Sequence, residues 1–318
     1  MKNWLMGFAL LLPALLRADM IETNNIEDVY PHVEEGTLVL LGMTDTISDS
    51  SLSLGSQPWR HYIRRHLSKM QDLDEAGNLH DQWTWHVATT IPVKPVQKEI
   101  VEWIDTLQQK EIPVFCLTGR GRAVWYATVI EKVDNFTDFQ LRSLGIDLKK
   151  SKVPEELKKA DPQLFHNGVF YTDPYTKGGF IEKILDETGY LPKKIVVVDD
   201  KWSQLQSIEE KLTEAGIDHL CVLYKRAEKE RKNFNPLIAM LQLEFLLEKG
   251  YPLYEAEAQE LASKLENASA DEIFKNLVEK YSSLTVVTAQ DDSLESDAPL
   301  IAEETPSIIG WWDGLTKN

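Results

Sequence analysis

Four short stretches hold the side chains that could do chemistry together: Gly42-Met43-Thr44-Asp45-Thr46, Thr118-Gly119-Arg120, Lys177, and Asp199-Asp200. Three of them end apolar runs. Leu38–Leu41 leads into Gly42, Val114–Leu117 into Thr118, and Ile195–Val198 into the paired acids. Hydroxyls and an ammonium bind phosphate oxygens and offset the charge that develops on them. Paired carboxylates serve a hard divalent cation such as magnesium. One strand end carries paired carboxylates, and another lacks a carboxylate at the spot where a phosphate-transfer enzyme needs one most. A plainer reading of Thr118 and Lys177 stands beside this: the threonine caps, and the lysine pairs with Asp199 so that the acid is not left alone in a cleft.

The elements that must carry these residues follow an α/β rhythm. Thr37–Leu41, Val114–Leu117, Ile195–Val198 and Leu220–Leu223 read as buried strands, and Gly168–Tyr171 as a shorter one. Between them, Pro95 opens a helix with Ile100, Val101, Ile104 and Leu107 on one stripe, and Arg122 to Val133 continues as a helix. Lys177 starts a helix that Gly189 ends, and Gln204 to Ala215 forms the next. This alternation predicts a doubly wound, mainly parallel sheet with all functional strand ends on one edge. Residues 48–94, rich in Trp, His and charge, are too long for a plain loop and read as a small helical cap. Trp59, Trp83 and Trp85 there are core of the cap or a substrate platform. The expected division is a leader over 1–18, an α/β domain over 19–235, a helical extension over 236–287 packed on the sheet, and an acidic tail over 288–318.

In order and strand context, the four stretches resemble the haloacid dehalogenase-like (HAD) superfamily of phosphohydrolases. Its first motif is a strand ending in Asp-x-Asp-x-Thr, its second a strand ending in Thr or Ser, its third a Lys at a helix start, its fourth a strand ending in paired acids. The resemblance covers residues 25 to 225 and implies a Rossmannoid sheet. The segment Leu54-Gly55-Ser56-Gln57-Pro58-Trp59, with Asp200-Lys201-Trp202, is further similar to a group of exported HAD-like bacterial proteins of unknown function. In the superfamily the first Asp attacks phosphorus, the second is the acid and base, and magnesium bridges the phosphate and the acids.

Carried over residue by residue, the resemblance implies that Thr46, Thr118 and Lys177 bind phosphate and that Asp199 and Asp200 hold magnesium. Gly42 stands where the nucleophile belongs, and Thr44 where the acid/base belongs. Phosphate-monoester hydrolysis needs up to ~10²¹-fold acceleration, and losing a nucleophile costs on the order of 10⁶ in turnover. The implied protein is therefore a catalytically impaired relative that binds a phosphorylated ligand or a protein partner, over a weakened magnesium site. Two alternatives stand: a live magnesium-dependent phosphomonoesterase in which Asp45, or more remotely Asp49, substitutes, and an exported interaction protein acting through its C-terminal helices and tail. Asp45 also reads as a turn residue bonded to nearby backbone.

Composition narrows the partners. The chain has 318 residues, 43% of them hydrophobic, and a net charge of −17, a field that repels nucleic acid and anionic headgroups. Lys2, the apolar run Trp4 to Leu16 and Ala18 read as an export signal leading to the periplasm or the exterior. No later segment is apolar enough to cross a bilayer. Cys116 and Cys221, both in strand-like runs, read as core residues rather than a bridge. Terminal Trp311-Trp312 docks back on the fold or binds a partner.

Overall fold

The computed structural model describes residues 20–281, apart from 123, 126–127, 130–132 and 266–267. The leader and the acidic tail with Trp311-Trp312 therefore lie outside the described residues. The N-terminal half runs β1 (Met20–Thr23), a 3-10 helix (Ile26–His32), β2 (Thr37–Gly42), β3 (Ser48–Ser50), α1 (Gln57–Leu67), α2 (Leu73–Thr90), β4 (Val93–Pro95), α3 (Lys98–Gln109), β5 (Val114–Thr118), β6 (Val124–Trp125), β7 (Thr128–Val129) and α4 (Val133–Ser143). Then come β8 (Phe165–His166), β9 (Val169–Tyr171), α5 (Lys177–Thr188), β10 (Lys194–Asp199), α6 (Trp202–Glu214), β11 (His219–Tyr224), α7 (Arg226–Glu230), α8 (Pro236–Lys249), α9 (Glu255–Lys264) and α10 (Ala270–Tyr281).

Seven strands form the central sheet in the order β1-β11-β10-β2-β5-β9-β8. Neighbours are parallel except β8, which turns back on β9. Strand β2 is buried at every position and lies between β10 and β5, as expected of continuous apolar runs covered on both faces. One face packs Val39, Leu41 and Val198 against Ile100, Trp103 and Ile104 of α3. The other packs Leu40, Phe115 and Val197 against Phe180 and Ile184 of α5 and Leu205 and Ile208 of α6. The fold is an α/β sheet with helices on both sides, so the carboxyl ends of β2, β5 and β10 share one edge. Cys116 and Cys221 lie on β5 and β11, three strand spacings apart, or about 14 Å, too far for a bridge.

Two local readings are corrected. Pro95 does not open a helix; it pairs with Ser48 at the end of β4, and the helix starts at Lys98. Proline is admitted on such a short edge ribbon. Residues 122 to 133 are not a continuous helix, because Val124–Trp125 and Thr128–Val129 form an antiparallel pair, as β-branched and aromatic residues favour. Met20–Thr23, to which the sequence assigned no element, forms an edge strand beside β11.

The antiparallel pair β3–β4 brackets helices α1 and α2. The C-terminal helices do not pack mainly on the sheet. Ala239, Met240, Leu243, Leu246, Phe274 and Leu277 share one core with Trp59, Ile63, Trp83 and Val87 of α1 and α2. Both sheet faces are already covered, and α8 is apolar around most of its circumference, so it must be buried among helices. Tyr62 and Asp271 join α1 to α10 by a 2.6 Å hydrogen bond.

Candidate functional site

Where the carboxyl edge of the sheet meets α1 and α2 there is a cavity of about 380 Å³. Thr44, Asp45, Thr118, Arg120, Lys177, Asp199 and Asp200 line its sheet side. Trp59, Val87, Ala88, Ile91 and Val93 form an apolar wall opposite. Residues separated by more than 150 positions in sequence meet here because β2, β5 and β10 are adjacent.

Lys177 opens α5, and Thr176 caps that helix by accepting the Gly179 N–H at 3.1 Å. Gln204 of α6 accepts the Lys177 N–H at 3.2 Å. The Lys177 ammonium pairs with Asp199 Oδ2, and Asp199 Oδ1 accepts the Lys201 N–H at 3.0 Å. Both Asp199 oxygens are thus engaged, and the residue is 1% exposed. Asp200 is more open and accepts from the Gln57 amide at 3.2 Å. Burial, with Asp199 and then Asp45 nearby, raises its carboxyl to about 7.

The tip of β2 is filled rather than hollow. A Cβ on Gly42 would lie 2.7 Å from Thr46 Oγ1 and 2.8 Å from Asp199 Oδ2. Thr46 is fully buried and does not line the cavity; its hydroxyl packs over Gly42 and has no hydrogen-bond partner in the structure. Thr44 does face the cavity, and its Oγ1 accepts from Arg120 Nη2 at 3.3 Å.

Asp45 sits in a left-handed turn at φ 64°, a conformation that Asp and Asn adopt more readily than most residues. Its N–H donates to the Ser48 carbonyl at 2.7 Å. The side chain is ion-paired with Arg60 of α1, whose other nitrogen donates to the Gly55 carbonyl at 2.5 Å. Burial raises the Asp45 carboxyl and the Arg60 charge opposes that rise. Asp49 is held by Arg231 at 2.8 Å and 3.0 Å.

Arg120 was noted in sequence only as part of a strand-end triplet, and its role was missed. Its Nη1 donates to Thr137 and to Gln140, each at 3.0 Å. That grip aims the guanidinium at the β2 tip. Arg60 was missed as well; the signal available was an arginine one turn into a helix opened by Gln57-Pro58.

The fit to magnesium can be tested on these groups. Among the described residues, no three His, Cys, Asp or Glu side chains come together as cation ligands. Asp45, Asp49 and Asp199 are each committed to a protein cation. The residues present do not fit a divalent ion, which asks for near-octahedral oxygen ligands.

A family model matches residues 22–252, from β1 to just past α8. The chain belongs to the family described as "Protein of unknown function (DUF2608)". A Chlamydia pneumoniae protein named "Putative outer membrane protein" is 21% identical over 258 residues, 77% of this chain and 92% of the relative. An uncharacterized protein of Rickettsia prowazekii (strain Madrid E) is 21% identical over 267 residues, 81% of this chain and 93% of the relative. No solved structure matches significantly. No helix among the described residues is long and apolar enough to cross a membrane.

Proposed function

We propose that this DUF2608 protein is an exported HAD-like protein that binds a phosphorylated ligand in the cavity over β2 and does not perform aspartyl-phosphate chemistry. The observation that carries this reading is the filled tip of β2. No side chain projects from Gly42, and Thr46 Oγ1 and Asp199 Oδ2 stand within 3 Å of where its Cβ would be. A covalent phospho-intermediate needs a carboxylate there. Asp45 is a poor substitute, being buried, turned to Arg60 and fixed by a left-handed turn. The phosphate-handling groups, by contrast, remain on the cavity wall: Thr118 and Lys177, joined by Arg120. An ammonium, a hydroxyl and a planar guanidinium suit a phosphate oxygen cluster. Export is supported by the apolar run Trp4 to Leu16 and by the name of the chlamydial relative.

The test is turnover and binding side by side. Generic phosphomonoesters should show no magnesium-dependent turnover by the purified chain, while inorganic phosphate should raise its melting temperature. Turnover at rates typical of phosphohydrolases, abolished by Asp45→Asn, would overturn the proposal.

A further inference from the structure

We infer that the ligand of this cavity is an organophosphate whose organic part is apolar, an aryl or short alkyl group seated against the wall that faces the sheet edge. This rests on the phosphate-binding reading above and deepens it, since it names what the phosphate is attached to.

The cavity measures about 380 Å³. An apolar protein cavity of ~150 Å³ already takes a benzene ring, so there is room here for a ring beside a phosphate group. A free phosphate ion would leave most of that space to water.

Polar and apolar groups are segregated across it. Thr118 ends β5 and Asp200 follows β10, on the sheet side. Opposite them, Ala88 belongs to the last turn of α2, Ile91 caps that helix, and Val93 begins β4. Ala88 and Val93 are half-buried, while Trp59, Val87 and Ile91 lie deeper in the same wall. Water against such a wall has few partners, and an apolar group that displaces it gains free energy.

A sugar or polyol fits this wall less well, because its hydroxyls need donors as well as acceptors. The hydroxyl protons nearby are already given to backbone. Ser48 donates to the Met43 carbonyl at 3.2 Å, Ser50 to the Leu54 carbonyl at 2.5 Å and Thr84 to the His80 carbonyl at 2.7 Å. Arg60 is taken up by Asp45 and the Gly55 carbonyl. Arg64 also lines the cavity, and one guanidinium does not serve a ring of hydroxyls.

The experiment measures binding of phenylphosphonate, methylphosphonate, glycerol phosphate and phenol to the full chain by calorimetry. The phosphonates carry a P–C bond, so their binding is read without turnover. Phenylphosphonate should bind about tenfold or more tighter than methylphosphonate and than glycerol phosphate. Val93→Thr places a hydroxyl in the wall at nearly constant shape and should narrow that preference about threefold. Ala88→Phe, which fills the space, should abolish it. Circular dichroism checks that both variants keep the fold; if Ala88→Phe does not, the parent and Val93→Thr decide. Equal binding of the two phosphonates, tighter binding of glycerol phosphate, or a preference unmoved by Val93→Thr overturns the apolar-ligand inference and leaves the phosphate-binding reading standing. Phenol binding as tightly as phenylphosphonate, or no binding by any of the four, overturns both.

Discussion

Two glycines near the cavity look alike in sequence and differ in what surrounds them. At Gly178, a Cβ would lie 2.0 Å from the Ser207 carbonyl oxygen and 3.0 Å from the Ile208 nitrogen. Both obstacles are backbone of α6, so this glycine is required by the close approach of two helices. At Gly42 the obstacles are the ends of two side chains, Thr46 and Asp199. Neither glycine has a positive φ, so backbone strain explains neither. Gly178 lets α5 and α6 touch and so fixes Lys177. Gly42 is the tip of a strand over which neighbouring polar groups have closed. One glycine serves the contact of two helices; the other lies beneath the ends of two polar side chains.

The strongest way to break this contrast is to remove the group that links the two places. Lys177→Met leaves Asp199 buried without its cation, and the cost expected is about 3–5 kcal/mol in denaturant unfolding. Gly178→Ala comes next. It forces α5 away from a backbone that cannot yield locally, for about 2–3 kcal/mol, and it should weaken phosphate binding because Lys177 moves with the helix. Gly42→Ala should cost less, about 1–2 kcal/mol, because Thr46 and Asp199 can rotate aside. If it costs as much as Gly178→Ala, the β2 tip is rigid and the contrast fails.

The smallest effect concerns Asp200. Its carboxyl stands at about 7 in the folded chain and in the ordinary Asp range when unfolded. A raised folded value means that the native state holds the proton more firmly. The stability this confers is complete below the ordinary Asp range and is lost as pH rises through about 7. Asp200→Asn should therefore raise the unfolding free energy relative to the parent at pH 8, by on the order of 1 kcal/mol given screening by cavity water. The gap should close toward pH 4. A gap that widens toward acid would reverse the sign of the argument.

The sheet was legible because its strands are continuous apolar runs. Leu38–Leu41 and Ile195–Val198 each proved the heart of a strand that extends by a residue or two. The edge strand β1 was not legible, since Met20-Ile21-Glu22-Thr23 is too short and too mixed to stand out beside an apolar leader. Pro95 misled because proline suits a first helical turn and an edge ribbon alike. At the site, Gly42, Thr118, Lys177 and Asp199 could be aligned because each adjoins a strand end or helix start. Arg60 and Arg120 could not be given roles. An arginine's reach spans several residues, and only the fold reveals that Arg60 meets Asp45 and that Arg120 meets Thr44. Thr46 was expected on the cavity wall, but with no side chain at 42 its hydroxyl turns inward to cover the strand tip.

Glu255 accepts the Ser53 N–H at 2.8 Å and the Ser53 hydroxyl at 2.5 Å, across 202 positions of chain. Beside it, Gln242 accepts the Leu54 N–H at 2.9 Å. The turn leading into α1 is therefore finished by residues of α8 and α9. Synthesis delivers residue 53 long before residue 255, and closing so wide a loop is among the slower events open to a chain. A newly made molecule can therefore complete this turn only after residue 255 has been added. A protein shortened to end before residue 255 would leave the Ser53 N–H and hydroxyl without that carboxylate.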